Sequence, residues 1–463
     1  MVRRLVVVGG DAAGMTAASA AKKRAGDALD VLVLERGQWT SYSACGIPYW
    51  VSGDVDGPDA LVVRTPQEHR AAGIDVRMGS ELIDLDLDGR TVGVRNGSGQ
   101  VTRERWDELL LATGAKPLAP SVPGADATGV YGLQTLDDGA AVLAELCGTG
   151  AGSGAGSGRP RTAVVVGGGY IGVEMAEACL QRGLAVTLVD RAPEPMPRLD
   201  PDLGRQARGV MEGLGIQVLT GVDVEAFETD DAGHVVAVRT ATERLAADVV
   251  LLGIGVRPFT DLAAAAGLPL GSFGGLRTDE RMAVHGHEGV WAAGDCVEVW
   301  DRVAGEWQHV ALGTHANKQG RVVGLQLTGG SLTFPGVVGT AITKVCDLEL
   351  AITGLNTARC AALGLDAVVA TIESTTRAGY FPGAAPITVR ITAERGTRRL
   401  LGGQVVGHDA AGKRIDTLAL ALWNSMTVDD LMMSDLSYAP PFSPVWDPVQ
   451  VAARKAVSLL DAS

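Results

Sequence analysis

Short unbroken apolar runs, each ended by glycines, divide the chain into strand–turn–helix units. Residues 5–8 read as a buried parallel strand, Gly9-Gly10-Asp11-Ala12-Ala13-Gly14 as a turn, and 15–24 as an Ala-rich helix. Residues 31–34 then read as a second strand ending in Glu35. The order returns later: strand 162–166, turn Gly167-Gly168-Gly169-Tyr170-Ile171-Gly172, helix 173–181, and strand 185–189 ending in Asp190. Residues 109–117, Leu-Leu-Leu-Ala-Thr-Gly-Ala-Lys-Pro, form a strand running into a turn, and 249–254 form another that closes at Gly255. Ala311-Leu312-Gly313 opens a helix to about residue 327. Beyond about 331 the pattern changes: strands are expected at 337–342, 348–352, 367–371, 387–391 and 400–406, with helices at 416–423 and 449–460.

A chain of 463 residues is too long for one core and suggests about three domains. The net charge of −14 argues against a nucleic-acid partner, which needs a basic stripe. No apolar run approaches ~18 residues, so no transmembrane helix is expected. The Met1-Val2-Arg3-Arg4 start mimics a signal peptide, but Gly9-Gly10-Asp11 cuts the apolar run short, and it reads as the first strand. Six scattered cysteines without a CxxC suggest a cytoplasmic protein with free thiols and no metal site. The Gly/Ser-rich stretch 148–160 reads as a flexible linker.

The repeated unit is what a dinucleotide needs. A tight turn lets the pyrophosphate approach the backbone, helix amides face it, and an acid at the next strand end takes the ribose hydroxyls. The second copy carries the full G-x-G-x-x-G. In the first, Asp11 stands where the middle glycine is expected. Asp190 favours a free ribose 2′-hydroxyl and hence NADH, while Arg191 beside it leaves NADPH use open. About ten residues after the first unit comes Ser41-Tyr42-Ser43-Ala44-Cys45-Gly46-Ile47-Pro48-Tyr49, which carries a lone thiol. A helix is expected to start near Cys45–Gly46 and to favour the thiolate. The other five cysteines read as structural.

With Gly294-Asp295 after 278–293, these pieces resemble a pyridine nucleotide-disulfide oxidoreductase over essentially the whole length. The resemblance implies an α/β fold with two Rossmann-like dinucleotide-binding domains (glutathione reductase-like) plus a C-terminal α+β dimerisation domain. The FAD-binding domain would be 1–118 and 279–330, the NAD(P)H-binding domain 119–278, and the interface domain 331–463, forming a homodimer. FAD would be held by Gly9, Asp11, Ala12, Ala13, Gly14, Glu35, Arg36, Ser43, Ala112, Thr113, Gly114, Gly294, Asp295, Ala311 and Leu312. The nicotinamide nucleotide would be held by Gly167, Gly169, Tyr170, Ile171, Gly172, Glu174, Asp190, Arg191 and Gly255.

Five residues after Cys45 stands Trp50, so no second thiol closes an active-site disulfide. That points to the single-cysteine branch of the family. Cys45-Gly46-Ile47-Pro48-Tyr49 is similar to the Cys-Gly-Leu-Pro-Tyr of coenzyme A-disulfide and persulfide reductases. Segments 378–383 and 438–443 resemble the tyrosine segments that reach the partner subunit's active site. The resemblance therefore implies reduction of a low-molecular-weight disulfide or persulfide, with coenzyme A as substrate or covalent adduct. Tyr438 would protonate the leaving thiolate, Tyr380 would orient it, and Lys23, Ser41 and Ala44 would line the substrate site. Ala44 departs from the family's Asn and Ala20 from its Gln, which weakens the coenzyme A reading but not the thiol chemistry. Two alternatives stand beside it. One is an NADH oxidase or peroxidase using a Cys45 sulfenic acid, against which Ala12 counts, because those enzymes place a histidine there. The other is a flavoprotein redox sensor.

Overall fold

The computed structural model describes residues 2–150 and 160–462; most of the predicted linker, 151–159, lies outside the described residues. Four helices matter below: α1 (Ala12–Ala25), α2 (Ile47–Ser52), α3 (Tyr170–Gln181) and α4 (Gly313–Gln326).

The first unit is a parallel five-stranded sheet. Arg3–Val8 lies at its centre between Leu29–Leu34 and Glu108–Leu111, with Asp75–Arg77 and Val290–Ala292 at the edges. Apolar runs buried on both faces produce such strands, and Leu5, Val6 and Val7 have no exposed surface. Helices α1 and α4 cross over this sheet almost backbone to backbone. A Cβ on Gly320 would overlap the Ala13 carbonyl, and one on Gly324 would lie 2.6 Å from the Ala17 carbonyl. The strand 290–292 returns the chain to the first sheet, and α4 then seals it.

The second unit repeats the plan. Thr162–Val166 is central between Ala185–Asp190 and Val249–Leu252, flanked by Gln217–Thr220 and Val130–Gly132. Ala115–Pro117 pairs antiparallel with Val256–Pro258, so the two chain crossings between the units lie side by side. The segment 261–278, expected in the second unit, contributes Ala263, Leu268 and Leu276 to the core of the first.

The C-terminal unit is an antiparallel sheet in the order Ala341–Val345, Leu348–Gly354, Leu400–His408, Pro386–Glu394, Ala367–Thr375. Its first strand begins at Ala341, which corrects the expected 337–342. Gly336 and Gly339 take φ of +103° and +69°, outside any strand, so Val337 makes only an isolated bridge to Asp301.

A buried ionic junction ties the second unit to this sheet. Arg390 Nη1 donates to Asp200 Oδ2 at 2.8 Å and to Asp202 Oδ1 at 2.7 Å. Gln404 Nε2 and Thr357 Oγ1 complete Asp200 Oδ2 at 2.9 and 2.8 Å. A charge removed from water is tolerated only when its hydrogen-bonding capacity is filled in this way. Among the described residues, no helix is long and apolar enough to cross a membrane.

Candidate redox and dinucleotide site

The two glycine turns share one geometry. Gly9 has φ +105° and faces the Ala112 carbonyl, while a Cβ on Gly14 would overlap the Gly9 carbonyl. In the second turn Gly167 has φ +103° and faces Gly253, and a Cβ on Gly172 would overlap the Gly167 carbonyl. Each turn is steadied by the acid at the next strand end. Glu35 accepts from the amides of Gly10 and Gly37, both at 2.7 Å. Asp190 accepts from Gly168 N, and from Ala192 N at 2.7 Å, with Arg191 exposed beside it. Asp11 caps α1 by position without a side-chain cap bond, and its Oδ1 takes the Tyr42 amide at 3.2 Å. Burial, with Glu35 and Asp295 nearby, pushes the Asp11 carboxyl up to about 7.

Other expected cofactor residues converge on the first turn. Thr113 Oγ1 donates to Phe259 O at 2.6 Å, and Gly114 turns the chain with φ +69°. Gly294 sits on Ala13, where a Cβ would lie 3.1 Å from that of Ala13, and its amide donates to Gln319 Oε1 at 2.7 Å. Gln319 is buried, and its Nε2 has no hydrogen-bond partner among the described residues. Burial pushes the Asp295 carboxyl up, with His309 opposing, and His309 Nε2 lies 2.8 Å from the Asp295 carbonyl. Leu312 is the N-cap of α4, directly after Ala311. A cleft of about 770 Å³ opens along Asp11, Glu35, Arg36, Trp39 and Tyr42. Gly255 has φ +98° at the end of the second unit.

Cys45 stands exposed on a single 3₁₀ turn, Ala44–Gly46, just ahead of α2. Leu61–Val63 runs along the loop that carries it: Ser43 N donates to Leu61 O at 2.9 Å, and Val63 N to Ser41 O at 2.8 Å. Ser41 has φ +52°, and its Oγ lies 2.9 Å from His69 Nε2, a contact the sequence did not signal. The protein groups around the thiol do not by themselves produce the expected lowering of its pKa. Although the residue reaches solvent, the protein packed around the thiol desolvates it and pushes Cys45 up, and Glu174 and Asp295 add to it, outweighing its own backbone amide. The helix begins at Ile47, just past the expected Cys45–Gly46, and is only six residues long.

Helix α2 packs on α3, with Ile47, Trp50, Val51, Val173 and Ala176 in one buried cluster, and Glu174 on α3 is near enough to act on Cys45. Glu174 accepts from Thr343 Oγ1 at 2.7 Å. Glu177, one turn on, takes Lys344 Nζ at 2.8 Å and Cys346 N at 2.9 Å. Lys344 Nζ also lies 5.6 Å from the centre of the Tyr49 ring. Sequence reasoning missed Thr343 and Lys344 because its first C-terminal strand ended at 342. At the start of α3, burial pushes the Tyr170 phenol up, and Ile171 follows it in the first turn.

Tyr380 and Tyr438 stand near one another on the C-terminal unit, where desolvation and the nearby Tyr380 hydroxyl raise the Tyr438 phenol. Ala378 N donates to Pro440 O at 3.1 Å, and Arg414 Nη2 donates to the carbonyls of Thr376 and Phe442 at 2.7 and 3.0 Å, so the two segments form one platform. Tyr380 is 77% exposed. Lys23 lies exposed in the last turn of α1.

Residues 3–320 match the family model of pyridine nucleotide-disulphide oxidoreductases, and 340–448 match that family's dimerisation domain. The chain is 36% identical over 462 residues to a Pyrococcus horikoshii protein called NAD(P)H coenzyme A polysulfide/persulfide reductase, covering 98% of each. It is 33% identical to a Methanocaldococcus jannaschii NADH oxidase, covering 99% of each. It superposes with a TM-score of 0.94 on a NAD-dependent persulfide reductase from A. fulgidus, at 35% identity, covering 99% of this chain and 84% of that one.

Proposed function

The chain belongs to the pyridine nucleotide-disulphide oxidoreductases, and from that premise we propose that it is an FAD-dependent NAD(P)H reductase of a low-molecular-weight disulfide or persulfide. A coenzyme A disulfide or persulfide suits the reading best. The first unit fits FAD on its own evidence. Its glycine turn leaves no room for a Cβ, and it holds a buried carboxyl at Asp295 and an unpartnered buried amide at Gln319. Gly9, Ala12, Ala13, Gly14, Glu35, Ala112 and Asp295 would hold it, and the second turn with Asp190 would hold the nicotinamide nucleotide. Bound there, FAD supplies a two-electron relay between nicotinamide and sulfur.

The observation that carries the reading is Cys45, an accessible free thiol with no second cysteine beside it in sequence. Its thiolate attacks one sulfur of R–S–S–R, forming Cys45–S–S–R and releasing RS⁻. Two electrons from NAD(P)H then cleave that bond, restoring the Cys45 thiolate and releasing a second RS⁻. In sum, NAD(P)H, one proton and RSSR give NAD(P)⁺ and two RSH. With R–S–SH the products are RSH and H₂S. Tyr438, with Tyr380 near it, protonates the leaving thiolate at the partner subunit's site. The dimerisation-domain match and the exposure of the tyrosine platform support that assignment.

Anaerobic NADH oxidation with coenzyme A disulfide, and separately with coenzyme A persulfide, tests the reading. The wild type turns over one of them and Cys45→Ser does not. Turnover with oxygen alone, and none with either sulfur compound, would replace the reading with an NADH oxidase.

A further inference from the structure

We infer that Thr343, on the first strand of the C-terminal sheet, is a positioning residue for the redox site: its hydroxyl fixes the Glu174 carboxyl on α3, the helix packed on α2 just after Cys45. The inference rests on the reading of Cys45 as the redox centre. Thr343 Oγ1 to Glu174 Oε1 is 2.7 Å, and Thr343 is 6% exposed, so water competes little for that bond. A hydrogen bond to a carboxylate favours its charged form against the desolvation that raises it.

The strand carrying Thr343 is itself held to α3. Lys344 Nζ and Cys346 N bond the two oxygens of Glu177, and Cys346 takes φ +49° to present its amide. Thus consecutive residues of one strand grip two carboxylates one turn apart on one helix face. That helix packs on α2, which begins two residues after Cys45.

The charges that meet here come from every neighbouring element. Glu174 and Glu177 lie on α3, Lys344 on the sheet, Tyr49 on α2, Asp295 after the 290–292 strand, and Asp11 in the first turn. Burial raises Glu174, Glu177 raises it further, and Thr343 and Lys344 oppose them. Deleting the Thr343 hydroxyl removes one of the two opposing groups without adding or removing a formal charge. Glu174 then takes up a proton more readily, and Cys45 loses a facing negative charge.

The test is the pH dependence of iodoacetamide alkylation at Cys45, read peptide by peptide by mass spectrometry on the dithiothreitol-reduced holoenzyme. Thr343→Val moves the Cys45 midpoint to lower pH, in the direction of Glu174→Gln, and raises the alkylation rate at pH 7 several-fold. Thr343→Ser stays near wild type. In a Glu174→Gln background Thr343→Val adds nothing, because the group it acts through is gone. An unchanged midpoint in Thr343→Val, or an equal shift in both backgrounds, overturns the assignment. Thr343→Ala carries the same cycle if the valine variant does not fold. Because alkylation is read without turnover, the outcome is separable from that of the redox reading, which fails if alkylated Cys45 leaves sulfur reduction intact.

Discussion

Tyr438 and Tyr380 stand near one another on an exposed platform of the C-terminal unit, from segments 58 positions apart that the Ala378–Pro440 hydrogen bond and Arg414 lock together. A phenol raised by its surroundings stays protonated at neutral pH and so still carries the proton that a leaving thiolate takes. Tyr438→Phe is expected to lower turnover with the sulfur substrate by about 10²-fold, the scale of one general acid, and Tyr380→Phe by less. The rate at which NADH bleaches the enzyme-bound flavin should stay unchanged in both. Loss of that bleaching in Tyr438→Phe would show a structural role instead.

The two glycine turns can be broken separately. Gly14→Ala puts a Cβ into the Gly9 carbonyl, and Gly172→Ala puts one into the Gly167 carbonyl. The first variant should purify without flavin absorbance, if it folds. The second should keep the flavin and lose NADH binding by at least about tenfold, roughly 1.4 kcal/mol or more. Both variants behaving alike in flavin content would contradict the assignment of one nucleotide to each unit.

The glycine turns, the strands around them and the Cys45 loop were legible because each is set by neighbours in sequence. Gly9, Gly14, Gly167 and Gly172 lie within six residues of the atoms that exclude their Cβ or of one another. The contacts that shape the thiol's surroundings were not legible. Glu174 meets Thr343 across 169 positions, and Asp200 meets Arg390 across 190. No periodicity encodes such a pairing. Apolar Val337 and Val338 resemble strand residues and suggest a strand at 337–342, whereas the positive φ at Gly339 delays pairing to Ala341. The acids that face the thiol were not legible for a related reason. A helix N-terminus can be read from sequence, but the facing carboxyls of Glu174 and Asp295 come from elsewhere in the chain.

Arg390→Met tests the junction between the second unit and the C-terminal sheet. It leaves Asp200, which is 2% exposed, with Gln404 and Thr357 but without its cation. Removing one partner of a buried pair costs about 3–5 kcal/mol, and thermal unfolding should drop accordingly. Burial raises the Asp200 pKa, but Arg390, Thr357 and Gln404 outweigh it and hold the carboxyl below its usual value. The native state therefore gains from Asp200 above the unfolded carboxylate pKa and loses that gain as pH falls through the lower native value. Wild type should lose stability toward strong acid more steeply than Arg390→Met; equal slopes would contradict the account.

Asp11 gives the opposite sign. Its carboxyl is raised by burial from 3.8 to about 7. The stability it lends is fully present below about pH 4 and is lost as pH rises through about 7. Asp11→Asn should flatten the melting temperature of the flavin-stripped protein between pH 5 and 8, where wild type declines. A wild-type profile as flat as that of the variant would show that the carboxyl is not raised.

The most direct measurement is the intact mass of the denatured protein, purified natively and then compared before and after anaerobic NADH, with peptide mapping to Cys45. The account predicts a reductant-labile sulfur adduct on Cys45, of coenzyme A mass or of one sulfur atom, that NADH removes. An oxygen-sized adduct would move the chemistry to a sulfenic acid. A Cys45 that is unmodified after exposure to coenzyme A disulfide or persulfide, and unaffected by NADH, would contradict its role as the redox centre.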